Sequence, residues 1–179
     1  MPIWSHDIPD DPRGPAFPIH RTPAYKPLQA IATSDDLLGT FTHFYKGRTM
    51  PHEETNCEAC EAGMPYVWHA YLSAFNQQTS LHFIFEMTAQ AANAFIEYRT
   101  SFHTLRGCHF EARRMNNKPN GRILIRTKPY DLSTIVLPKP PDLIKCLSIL
   151  WSLPTNTLSA ATTNPDKQTK QVRRRAAPK

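Results

Sequence analysis

One stretch of the chain holds residues whose types and spacing can do chemistry: His52-Glu-Glu-Thr-Asn-Cys57-Glu-Ala-Cys60-Glu-Ala-Gly63. Cys57 and Cys60 form a Cys-x2-Cys pair, and further histidines stand at 43 and 69. Two thiolates on a turn that glycine lets bend back can both face one ion. A tetrahedral Zn²⁺ takes four ligands drawn from Cys and His. The loop also carries Glu53, Glu54, Asn56, Glu58 and Glu61. That is a poor setting for inert thiols, because free cysteine prefers burial. Cys57 and Cys60 are therefore the firm pair. His52 is the third ligand, since its spacing lets it close on the same ion. The fourth is His43, upstream, or His69, downstream, and His43 is preferred. The expected cofactor is Zn²⁺ on His43, His52, Cys57 and Cys60.

Catalytic readings of these residues fail on spacing. His52-Glu-Glu54 matches the His-x-Glu of zinc deaminases, in which the glutamate shuttles protons. There the Cys pair comes from a separate helix; here it begins three residues after Glu54. One short loop cannot supply both the ligands and a substrate pocket. No His-Glu-x-x-His, phosphate-loop or Gly-x-Ser-x-Gly pattern is present. A His/Cys-rich nuclease would need a His-Asn general-base arrangement, and none stands out. The expectation is a protein that is not an enzyme. The other two cysteines, Cys108 and Cys146, sit alone in apolar patterns and read as buried thiols. No apolar run approaches the ~18 residues of a membrane span, and no secretory leader is visible. A cytoplasmic setting without a membrane partner is expected, and it favours metal ligation over disulfides.

The elements that must position these residues occupy roughly 27–152. Residues 1–26 are proline-rich and read as an extended or disordered arm; 153–179 read as a disordered basic tail. Leu28–Ile31 and Leu37–Tyr45 read as one long strand or a strand pair, followed by the metal loop over 46–64. Tyr66–Phe75, Leu81–Glu86, Cys108–Arg114 and Arg122–Thr127 follow as strands. Between the third and fourth, Ala89–Arg99 is rich in helix formers, with Thr88 as the cap and Gly107 closing that region. Asn116–Gly121 is a turn. Leu143, Ile144, Leu147, Leu150 and Trp151 recur at helical spacing and mark a terminal helix. The class is mainly β with one or two helices. The order of three strands, a helix and two strands matches the five-stranded OB barrel, here with the zinc loop between its first and second strands.

His43, His52, Cys57 and Cys60 on such an order resemble phage single-stranded DNA-binding proteins that carry a zinc subdomain in an OB-fold. That family uses an upstream His, a Cys and a closing Cys-x2-Cys. This chain differs in spacing and has His52 where the family has Cys. The resemblance implies binding of single-stranded nucleic acid, DNA before RNA.

Charge and aromatic placement bear on the same reading. Net charge is +6, but six basic residues against Asp166 place +5 of it in 166–179, leaving +1 for 1–165. Basic tails bind nucleic acid through counterion release. Within the folded part, bases stack on aromatic rings while phosphates meet Lys and Arg. Tyr45, Lys46 and Arg48 lead into the metal loop. Phe110, Arg113, Arg114, Lys118, Arg122 and Arg126 surround the last hairpin. Tyr45 and Phe110 are the expected stacking rings. The partners expected are single-stranded nucleic acid and other proteins of a replication, repair or nucleoprotein assembly. The rival is a zinc-stabilised protein-interaction module that docks through its metal loop and terminal helix.

Overall fold

The structure is a computed structural model and describes residues 17–151. Its strands are β1 (Ile19–His20), β2 (Leu28–Ala32), β3 (Leu38–Tyr45), β4 (Arg48–Pro51), β5 (Tyr66–Asn76), β6 (Leu81–Thr88), β7 (Cys108–Arg114) and β8 (Ile123–Pro129). Its α-helices are α1 (Glu58–Glu61), α2 (Ala89–Phe102) and α3 (Leu143–Trp151). All eight strands join one mixed sheet.

β5 organises that sheet. Along one edge it takes β6, from His69↔Thr88 to Asn76↔Leu81. Its other edge is shared. β3 pairs with its first half, from His43↔Tyr66 to Leu38↔Tyr71, and β2 with its second, at Ala32↔Ala74 and Ile31↔Phe75. β2 and β3 are thus one line of strand interrupted at 33–37. The interruption is fastened to the end of α2: Arg99 pairs with Asp36 at 2.7 Å, and Thr104 donates to Asp35 at 2.8 Å. β7 adds to the far edge of β2 and β8 to β7.

Side chains alternate across this sheet. Ala70, Leu72 and Ala74 of β5, Phe83, Phe85 and Met87 of β6, and Cys108, Phe110 and Ala112 of β7 face α2 and form the main core. Phe95 of α2 lies between Phe85 and Phe110, with ring centroids 6.5 and 5.1 Å away. Each such ring, fully buried, contributes about 1.5–3 kcal/mol. On the opposite face Leu147 and Trp151 of α3 cover Tyr71 and Ile84. β5 and β6 are therefore covered on both sides. Gly39, paired with Ala70, is needed on the main-core face, because a Cβ there would lie 2.0 Å from the Trp68 indole.

The mainly-β class holds, but the sheet is open where a closed five-stranded barrel was the expectation. β8 pairs with β7 alone among the described residues, and the outer edge of β6 takes β1 in parallel at Ile19↔Ile84 and His20↔Phe85. That edge is the one a closing strand would use. The proline-rich segment expected to be an arm through residue 26 therefore includes a strand, held as Phe17 and Ile19 pack under α3. Thr88 is the N-cap of α2 by backbone conformation, but its hydroxyl makes no capping bond. α2 ends at His103 in the left-handed region, ahead of Gly107, which turns the chain into β7. The basic tail lies outside the described residues. No helix among those described is long and apolar enough to cross a membrane.

Candidate metal centre

β3 and β4 form a hairpin with a two-residue turn, Tyr45↔Arg48 being the last pair. Lys46 and Gly47 both have positive φ, 50° and 76°, as a type I′ turn requires. The hairpin carries His43 in the middle of β3 and His52 just past the end of β4, where its N–H donates to the Phe41 carbonyl at 2.8 Å. The chain then reaches α1, a single helical turn. Cys57 stands at its N-cap and Cys60 three residues on, so one turn brings both sulfurs to the same side. Gly63, at φ 71°, reverses the chain: its N–H donates to Cys60 O and that of Met64 to Ala59 O, both at 2.9 Å. This is the 6→1 closure of a helix by a left-handed residue. β5 follows, with Tyr66 directly across from His43.

Four side chains converge: one ligand atom from each of His43, His52, Cys57 and Cys60 lies within 4.8 Å of all the others. His43 Nε2 is 3.1 Å from His52 Nδ1, 3.4 Å from Cys57 Sγ and 3.5 Å from Cys60 Sγ; Cys60 Sγ is 3.4 Å from His52 Nδ1. Bond lengths of about 2.0–2.1 Å to nitrogen and 2.3 Å to sulfur at tetrahedral angles separate N from N by about 3.3 Å and N from S by about 3.6 Å. These four separations are close to those of a shell around one small ion.

The surroundings favour ligation. His43 is buried, and its Nδ1 donates to the Pro65 carbonyl at 3.2 Å. That contact puts the proton on Nδ1 and leaves the Nε2 lone pair facing the cluster, the usual arrangement behind a metal-bound imidazole. His52 stacks on Tyr66, centroids 4.3 Å apart with 12° between planes. Its burial and the neighbouring His43 hold its pKa below the ordinary value, which keeps it neutral. Burial opposes the Cys57 thiolate, but backbone N–H groups of Glu53, Cys60 and Ala59 outweigh it and lower its pKa. Cys60 is raised, by burial and by the neighbouring Cys57. Of the two sulfurs Cys57 gives up its proton the more readily, and a bound ion would favour the thiolate at both.

His69 is not part of the cluster. Its Nδ1 is 2.7 Å from Thr42 Oγ1 on the opposite face of the sheet. Cys108 is fully buried, and burial pushes its thiol up to about 12, so it stays protonated. Sequence reasoning missed Tyr66 and the Pro65 carbonyl, which become neighbours of the histidines only through the β3–β5 register.

The expected nucleic-acid residues fall into two groups. Tyr45, Lys46 and Arg48 sit at the hairpin tip, Lys46 over the Tyr45 ring at 5.0 Å and paired with Glu58. Arg113, Lys118, Arg122 and Arg126 are exposed around β7 and β8. Phe110 is a correction. It is fully buried between Phe85 and Phe95 and cannot stack on a base. Arg114 shares its face and is engaged by the carbonyls of Thr22 and Gly121 at 3.0 and 3.3 Å. Phe44, 66% exposed at the hairpin tip, is an aromatic ring that is free instead.

Compared with protein-family models, with curated proteins and with solved structures, the chain matches none.

Proposed function

We propose that the chain binds single-stranded nucleic acid, DNA before RNA, on a sheet whose tip hairpin is fixed by a structural Zn²⁺. Two thiolates and two imidazoles at tetrahedral separations are a donor set that suits zinc. All four positions are filled by protein, so the ion has an ordering role and no open site for substrate. The reading stays with an OB-like, non-enzymatic binding domain. Strand pairing supports the first part, since β5 and β6 follow the β2–β3 line as an antiparallel meander, with β7 and β8 on its other side.

The observation that carries the reading is the hairpin tip beside the metal cluster. Around its two-residue turn it presents Phe44 on one face, Tyr45 and Arg48 on the other, and Lys46 in the turn itself. Aromatic rings among cations are what unpaired bases and their phosphates require. Arg113 and Arg126 add to it: register and alternation place them on the sheet face opposite α2, the face toward which Phe44 and Thr49 also point. The interaction-module rival is less well supported, because Leu147 and Trp151 of the terminal helix are largely buried within the chain and only Leu150 of its apolar residues is exposed by half.

The test is anisotropy of labelled single- and double-stranded oligonucleotides of equal length over a salt series. Tighter binding of single strands with a linear fall in log K against log salt is expected. Equal affinity for both, or no salt dependence, would refute the reading and favour the interaction module.

A further inference from the structure

Behind the hairpin tip, on the face opposite α2, lies an open cleft of about 500 Å³. This is within the range of about 300–1,000 Å³ seen for small-ligand sites. Phe44 of β3 and Leu150 and Trp151 of α3 are its apolar lining. Glu86 of β6, only 5% exposed, is in the lining as well. Arg21, just after β1, holds it in a fork: Nε donates to Oε1 at 2.7 Å and Nη2 to Oε2 at 3.2 Å, while Nη2 also reaches Thr49 Oγ1 at 2.7 Å. Arg48 is also in the lining; paired with Tyr45, its side chain starts from the hairpin face that carries the metal loop, where its charge also acts on Glu58.

These features constrain an occupant. The walls are aromatic and aliphatic, so they suit a flat apolar ring. A buried carboxylate rejects a wholly apolar ligand, because a ligand that covered it would strip its remaining water. It also rejects an anion at that depth. It accepts N–H donors: Arg21 uses one lone pair on each oxygen, and a carboxylate oxygen has a second. Arg21 offsets the charge of Glu86, and Arg48, at the rim on the hairpin edge, is the other cation in the lining for an anionic group outside. A ring with N–H groups on its edge and a phosphate on its other side meets every condition.

We propose that this cleft seats one unstacked nucleotide of the bound strand, its base edge on Glu86 and its phosphate on Arg48, and that it prefers bases bearing an amino group. The inference rests on the single-strand reading above and adds a discrimination to it. Cytosine and adenine offer an exocyclic amino donor. Thymine and uracil offer one N–H flanked by two carbonyls, which the carboxylate repels.

The test compares oligo(dC) with oligo(dT) by anisotropy, with dCMP and dTMP titrated separately against the tryptophan fluorescence of the protein. Oligo(dC) is expected to bind about tenfold tighter, a charged hydrogen bond being the difference. Phe44→Ala should weaken both oligonucleotides about tenfold or more. Its melting temperature should hold, because the ring is largely exposed. Glu86→Gln should narrow the gap between dC and dT, and dCMP should perturb the fluorescence in the parent but not in Trp151→Phe. If oligonucleotides bind, but dC and dT alike and Phe44→Ala as the parent, the cleft proposal is wrong and the single-strand reading survives. If no oligonucleotide binds, that reading fails, and a response to dCMP confined to the parent would keep the cleft as a nucleotide site. No response there would overturn both.

Discussion

Removing the metal should unfold the loop between β4 and β5 while leaving the sheet in place. The loop runs from residue 52 to 65, fourteen residues. Apart from Cys57, the only buried side chain in it is Ala59. A buried methyl contributes about 0.8 kcal/mol. Ordering the backbone costs about 1–2 kcal/mol per residue, so at least about 14 kcal/mol for the loop. Burial cannot hold it, whereas structural zinc supplies about 10–16 kcal/mol at neutral pH. Neither apolar cluster includes a loop residue, so the core does not depend on the ion. The assay is digestion by a glutamate-specific protease, since Glu53, Glu54, Glu58 and Glu61 all lie in this loop. Metal-loaded protein should resist, and chelated protein should be cut there with little change in circular dichroism. With metal at about 1,000 times its Kd, linkage adds about 4 kcal/mol, or about 10 °C of Tm for a domain of this size. Cys57→Ser should copy chelation. Cys108→Ser should lower Tm through its buried hydroxyl, yet keep about one equivalent of metal. Equal cleavage with and without bound metal, or purified protein devoid of metal, would refute the reasoning.

Phe110→Ala should destabilise the fold by about 3–5 kcal/mol in urea titrations, whereas Tyr45→Ala should leave the urea midpoint nearly unchanged and weaken oligonucleotide binding. Stability should fall in acid even without metal. Burial holds His69, His82 and His109 below the ordinary imidazole value of 6.5, so the unfolded chain takes protons first. Their contribution is full above about pH 6.5 and is lost as pH drops below it; a urea midpoint in chelator that is the same at about pH 7.5 and 5.5 would contradict this. Deleting residues 166–179 should flatten the salt dependence of oligonucleotide binding without moving Tm, and an unchanged slope would mean that the tail touches no phosphate.

The metal cluster was legible because its information is local. Cys57 and Cys60 are one helical turn apart, Gly63 closes that turn, and His52 is five residues away. His43 needed only the reach of one strand. Strand β7 was legible to the residue, and so was its alternation: Cys108, Phe110 and Ala112 against His109, Glu111 and Arg113. Phe110 belongs to the apolar set, and that pattern outweighs its neighbouring arginines. The open sheet was not legible. β1 has two residues, no periodicity and prolines around it; it exists because Phe17 and Ile19 find a site under α3, a contact between distant parts of the chain. The cleft is hidden for the same reason, since Arg21, Phe44, Glu86 and Trp151 come from four distant parts of the chain.

On this reading the ion and the cleft are coupled through one strand. His43 and Phe44 are consecutive on β3, so their side chains leave opposite faces of the sheet. β4, beyond them, is a strand of four residues that pairs only with β3 among the described residues. An isolated two-stranded hairpin is marginal in water. The pairing that anchors β3 to β5 ends at His43↔Tyr66, so Phe44, Tyr45 and the turn project past it. The ion ties His43 on β3 to His52 after β4 and to both sulfurs of α1, and so it clamps the hairpin from the face opposite the cleft. Fixing His43 fixes the backbone that aims Phe44. A closed, four-ligand centre can thus govern nucleotide binding without touching the nucleotide, by supplying the rigidity that four residues of strand cannot.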